Sequence, residues 1–198
     1  MIRKAFDNRG TTLYVQIWEK RIRVTDIGSG KIFDESPLLA VQKKGRGEKG
    51  RREVVVAAGN RASSLPAADT RVINPFSHPR SLLADFAAGE KLLQYIFRKL
   101  LGDKLLGPSP LVVLQPMEKT QGGLTDVEVR AFRELALGAG ARESLVYQGP
   151  ELTRHTFDLQ RVRKHSGAEA PQKTGSLAQW LLLLTWILLI VAMAVFGR

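Results

Sequence analysis

Asp26-Ile27-Gly28-Ser29-Gly30-Lys31 places a carboxylate, two glycines and an amine in one short stretch. A turn of this kind can bring backbone amides close to a phosphate, with the aspartate handling metal-bound water. The stretch lacks the Gly-x4-Gly-Lys-Ser/Thr spacing of a P-loop. Gly28-Ser29-Gly30 also suits the tight turn of a hairpin, and that is the reading we prefer. His78, His155 and His165 are widely separated and share no metal-ligand spacing, so surface positions are expected for them. Asp85 with Glu90, and Asp126 with Glu128, form carboxylate pairs. Each pair stands at the start of an expected helix, where acidic groups suit the helix dipole. The chain has no cysteine, which removes disulfides, thiolate metal sites and thiol nucleophiles together. Neither Gly-x-Ser-x-Gly nor His-Glu-x-x-His occurs. We therefore expect no catalytic residue, no metal and no cofactor.

The remaining concentration of chemistry is positive charge. Lys43, Lys44, Arg46, Lys49, Arg51 and Arg52 fall within KKGRGEKGRR, too polar and glycine-rich for a strand interior. An exposed hairpin tip is expected there, available to lipid headgroups or an acidic partner. The whole chain of 198 residues carries a formal charge of +11. No aromatic-and-basic RNA motif or zinc-finger spacing accompanies that charge, so nucleic acid is not the expected partner.

The elements around these residues follow from periodicity. Leu13–Trp18 and Arg21–Ile27 alternate and are rich in β-formers, with Lys20 and Arg21 as a tight connection. A third strand is expected from Lys31 past Pro37 to Val41, and a buried fourth at Glu53–Ala58. Asn60–Ala67 should be a short helix or turn. Ser81–Leu101 has helical apolar spacing and ends at Gly102. Leu111–Leu114 is a continuous apolar run, as for a strand covered on both faces. Thr125 and Glu128 form a capping box opening a helix through Leu137, stopped by Gly138 and Gly140. Ser144–Tyr147 is the last strand. This order predicts an α/β domain with a mixed five-stranded sheet and packed helices.

The C-terminal stretch has a different character. Leu177–Phe196 contains no charge, and only Gln179 and Thr185 are polar. A helix of about 20 apolar residues matches the hydrocarbon thickness of a bilayer. A transmembrane helix is expected over 176–197, bounded by Leu177 and Phe196 and carrying Trp180 and Trp186. Arg154, Arg161, Arg163, Lys164 and Lys173 precede it and only Arg198 follows. The positive-inside rule then keeps the N-terminal body in the cytoplasm, with an anionic leaflet as an economical partner for its charge. The expected organisation is a domain over 1–151, a basic polar linker over 152–175, and the anchor.

Two stretches carry a family resemblance. AAGNRASSLP at Ala57–Pro66, followed by TRVINPFSHPRSLLADFAAGEKLLQYIF at Thr70–Phe97, resembles the glycine turn, short helix, "ADF" segment and following helix of bacterial actin-like MreB proteins. The stretch Pro108–Pro150, with "GAGARE" at Gly138–Glu143, is similar to the same family's next strand, helix and strand. The likeness covers about Leu13–Pro150. It implies the first, ribonuclease H-like subdomain of an actin-like fold.

The family's first phosphate loop is Asp-x-Gly-Thr after strand one. The resemblance maps it onto Gln16, Trp18 and Glu19. Trp18 would fill the space that glycine leaves for phosphate, and Glu19 would repel it. The acidic pair that the family places before its proline is Gln148-Gly149 here. The chain also ends before the second phosphate loop, so half of the family's nucleotide cleft is expected to be missing. Together these imply a non-catalytic actin-like interaction module, single-pass in a bacterial inner membrane. Its partner would be an actin-like filament protein of a cell-shape assembly, or a membrane protein complex. The alternatives are an accessory subunit of a larger membrane complex and half of a split ATPase.

Overall fold

The computed structural model of the protein describes residues 10–44, 52–66, 70–102 and 109–166. Five strands form a mixed sheet in the order β3-β2-β1-β7-β8. They are β1 (Thr12–Ile17), β2 (Ile22–Asp26), β3 (Ile32–Glu35), β7 (Leu111–Pro116) and β8 (Glu143–Val146). The first three make an antiparallel meander, and β1, β7 and β8 run parallel. The meander and the buried strand at Leu111 thus have the places their patterns predict. Every residue of β7 is buried, as its central position demands.

A second sheet, β5-β4-β6, was not expected. It contains β4 (Leu39–Lys44), β5 (Arg52–Ala58) and β6 (Thr70–Ile73). The segment read as one strand from Lys31 to Val41 is in fact β3 and β4, divided between the two sheets. Pro37 lies at the division, where a residue without an amide hydrogen breaks no ladder. β5 is also less buried than its valines suggested. Only Ala57 and Ala58 are enclosed, because its N-terminal half projects beyond α1 (Asn60–Ser63).

Two helices cover one face of the large sheet. In α2 (Phe86–Leu101), Leu92, Leu93, Ile96 and Phe97 are buried. They meet Leu13, Val15 and Ile17 of β1 and Val112 and Leu114 of β7 in one core, which Leu39 and Val41 of β4 also join. The helix starts at Phe86, not at Ser81 as its periodicity suggested. Asp85 is the N-cap, its carboxylate accepting the Ala88 amide at 2.9 Å. The reciprocal capping box of Thr125 and Glu128 opens α3 (Asp126–Gly138) as expected. Gly138, expected as a stop, is the last helical residue. A Cβ there would lie 2.6 Å from the Glu90 carboxylate, so its role is to let α2 approach.

The other face is covered by a segment expected to be linker. From Leu152 the chain crosses the sheet and forms α4 (Leu159–His165). Leu152 and Val162 are buried, and the Phe157 ring packs 5.9 Å from that of Tyr14. These sparse apolar residues suffice because the sheet beneath already supplies Val113, Leu145 and Tyr147. Among the described residues, no helix is long and apolar enough to cross a membrane. The expected anchor, with Leu177, Trp180, Trp186 and Phe196, lies outside the described residues.

Candidate functional site

The carboxyl ends of β1, β7 and β8 are where ligands bind in open α/β sheets. At that level one register row of the sheet is polar from edge to edge. Asp34 of β3 stands beside Arg23 of β2, then Gln16 of β1 and Gln115 of β7. Tyr147 follows, just past β8, its amide donating to the Leu114 carbonyl. The chain after β8 is held on this row. Gln115 Nε2 donates to the Gly149 carbonyl at 2.6 Å, and Gln16 Nε2 donates to the Glu151 carboxylate at 2.9 Å. Tyr14 OH donates to Gln115 Oε1 and accepts the Leu152 amide. Burial pushes the Tyr14 phenol up to about 12. Farther out, Arg21 and Arg23 both donate to Asp34 and hold its carboxyl down at about 2.

A cleft of about 300 Å³ opens next to this row, lined by Gln115, Met117, Thr120, Gly123, Gln148 and Glu151 among others. Among the described residues of the lining Glu151 alone is charged, and the Arg23 guanidinium lies 3.8 Å from its carboxylate. The described lining thus offers amide and hydroxyl groups and one carboxylate that is ion-paired with Arg23.

The β1–β2 loop beside it is tied down on several sides. The Trp18 amide donates to the Arg21 carbonyl, and the Glu19 amide to the Glu118 carboxylate at 2.7 Å. Asn74 Nδ2 donates to the Glu19 carbonyl at 2.8 Å. Lys119 Nζ lies 2.8 Å from the Glu19 carboxylate and also donates to the His78 carbonyl. Its hydrogen bond holds the Glu19 carboxyl below the usual carboxylate range. Trp18 is half-buried, with the Arg21 guanidinium 5.1 Å from its ring centroid. Gln16, Trp18 and Glu19 therefore gather in one place, each with protein partners.

Asp26, Gly28, Gly30 and Lys31 occupy the opposite end of β2, in the hairpin turn to β3. The buried Asp26 carboxylate accepts the amides of Gly28 and Ser29 at 2.9 and 3.1 Å, along with the Ser29 hydroxyl. Arg154 donates to the carbonyls of Ile27 and Gly28 from outside. Gly30 has φ +77°, and a Cβ there would meet the Arg154 guanidinium. Lys43, Lys44 and Arg52 are strand residues of β4 and β5, not part of the loop. Arg46, Lys49 and Arg51 lie outside the described residues.

Sequence reasoning missed Gln115, Glu151, Lys119 and Asn74. Gln16 and Gln115 carried a signal, since each is the lone amide in a run of strand-forming residues. Lys119 and Asn74 carried none, because only the fold brings their loops together.

No family model matches the chain. The cell shape-determining protein MreB of Pasteurella multocida (strain Pm70) is 30% identical over 124 residues, 62% of this chain and 33% of that protein. MreB of Escherichia coli (strain K12) is 32% identical over 127 residues, 62% of this chain and 34% of that protein. The chain thus spans about a third of the length of these curated relatives. Among solved structures, ADP-bound MreB5 of Spiroplasma citri superposes with a TM-score of 0.52 at 20% identity, covering 70% of this chain and 38% of that one. Its AMPPNP-bound form gives 0.51 at 19% identity. At such identities the superposition speaks for a shared actin-like α/β fold. Over about 62% of its length the chain is homologous to MreB and its actin-like relatives.

Proposed function

We propose that the chain is a non-catalytic actin-like interaction module, anchored in a bacterial inner membrane through Leu177–Phe196 with its N-terminal domain cytoplasmic. It tethers a cytoskeletal or envelope-assembly complex concerned with cell shape, and its partner is an actin-like filament protein or a membrane protein complex. Homology to MreB supports the cytoskeletal, cell-shape part of this reading. The uncharged run and its basic upstream flank support the anchor.

The observation that carries the non-catalytic part is the engagement of the Glu19 amide by Glu118. A phosphate-binding loop needs free backbone amides around a space. Here the corresponding amide already has a carboxylate, Trp18 occupies part of the loop, and the adjoining cleft is lined by Glu151. Phosphate brought there would have to displace the Glu118 carboxylate from the Glu19 amide.

The full-length chain in detergent should show no binding of Mg-ATP or Mg-ADP at micromolar concentration in calorimetry. Asp26→Ala should weaken the hairpin turn by about 1–3 kcal/mol and leave nucleotide behaviour unchanged. Micromolar ATP affinity, or turnover abolished by Asp26→Ala, would sink this reading in favour of an ATPase completed by a second chain. A pull-down through the anchored protein tests the cell-shape role. Recovery of a respiratory or transport complex, with no filament protein, contradicts it.

A further inference from the structure

The two faces of the three-stranded sheet differ in charge. On the face toward α2, Lys43 stands opposite Glu53, which also lies 3.5 Å from Arg71 and 3.6 Å from Lys91. Three cations there surround one carboxylate. On the opposite face α1 covers only one end, where Ala40, Ala57 and Ala62 pack together. Beyond it Val54 is 39% exposed, and Lys44 stands directly opposite Arg52. Like charges in directly opposed positions destabilise a strand pair. Among the described residues, no carboxylate lies within ion-pair distance of either. β5 is moreover an edge strand, paired with β4 on one side and with no described strand on the other.

We propose that this edge receives an extended acidic segment of a partner protein, which adds a strand beside β5. The open backbone edge supplies the ladder. Alternate side chains of the added strand then fall on the α1 face, a carboxylate beside Arg52, with Lys44 one strand farther adding to the positive field, and an apolar residue beside Val54. A second copy of this chain would bring cations to cations. A bilayer matches the charge, but hydrocarbon cannot satisfy an open strand edge. The inference rests on the interaction-module reading for its need of a partner, and not on the state of the β1–β2 loop.

The test uses the full-length chain in detergent and a fluorescent peptide repeating glutamate-serine-valine-serine, which puts glutamate and valine on one face, with lysine in place of glutamate in the control. The acidic peptide should bind, more weakly as salt rises, and slow amide exchange at Glu53–Ala57. Lys44→Glu with Arg52→Glu should weaken it at least about tenfold. Both sites are exposed, so an unchanged melting temperature identifies a folded variant. Where the double variant melts early, Val54→Glu on the same face replaces it, setting a carboxylate against the acidic peptide, with the same expected loss. Absence of binding, equal binding of the control peptide, or affinity indifferent to these substitutions overturns the proposal. So does β5 protection that appears with phosphatidylglycerol vesicles and not with the peptide. Mg-ATP titrated into the same preparation keeps the two readings apart. ATP binding beside peptide binding refutes only the non-catalytic reading, and the absence of both refutes only this surface.

Discussion

Lys119 reaches back across the β7–α3 loop to place its Nζ 2.8 Å from the Glu19 carboxylate, while its own backbone stands at φ +57°. A left-handed conformation costs a non-glycine residue about 1–2 kcal/mol. The side chain is anchored at two points, Glu19 and the His78 carbonyl, so three loops converge on one amine. Stored backbone strain and a closed β1–β2 loop are thus parts of a single arrangement.

Substitution at Lys119 separates the two effects. Lys119→Ala removes the clamp and keeps the strain. Lys119→Gly removes the clamp and relieves the strain, so it should be more stable than Lys119→Ala by about 1 kcal/mol in urea denaturation. Both should speed amide exchange at Trp18 and Glu19. Equal stabilities would mean that the backbone strain contributes nothing.

The Tyr14–Gln115 pair predicts an alkaline limit. The Tyr14 phenol has a folded pKa raised from its ordinary 10.0 to about 12. Its contribution is complete below the unfolded value and is lost as pH rises through the folded one. Stability should therefore decline between about pH 10 and 12. Tyr14→Phe should flatten that decline while costing about 1–3 kcal/mol at neutral pH, because Gln115 Oε1 and the Leu152 amide lose their partner. A decline of the same steepness in Tyr14→Phe would show that another group sets the limit.

The α4 segment should detach as a unit. Val162 is fully buried against the sheet, and Val162→Ala should cost about 2 kcal/mol. Val162→Asp buries a carboxylate in the apolar contact between α4 and the sheet. Limited proteolysis of that variant should cut first between Leu152 and Ser166, leaving β1 to β8 intact. Cleavage elsewhere first would mean that the segment is not a separate cover.

The meander, the β7 strand, both main helices and the capping box were legible in the sequence because each rests on contacts a few residues apart. Alternation, helical spacing and Thr-x-x-Glu act locally, and Gly28-Ser29-Gly30 makes its turn wherever it stands. Tertiary structure decided the rest. The break at Pro37 sent β3 and β4 to different sheets only because α2 offers a shared core. A segment as polar as Leu152–Ser166 has no periodicity strong enough to declare a packed helix, yet Tyr14 and Gln16 give the Leu152 amide and Glu151 partners that lie more than a hundred residues away in the chain. Separation in the chain also hid the closure of the Glu19 loop. Glu118, Lys119 and Asn74 are ordinary loop residues in sequence, and they acquire a function only when the parallel pairing of β1 with β7 sets their loops side by side.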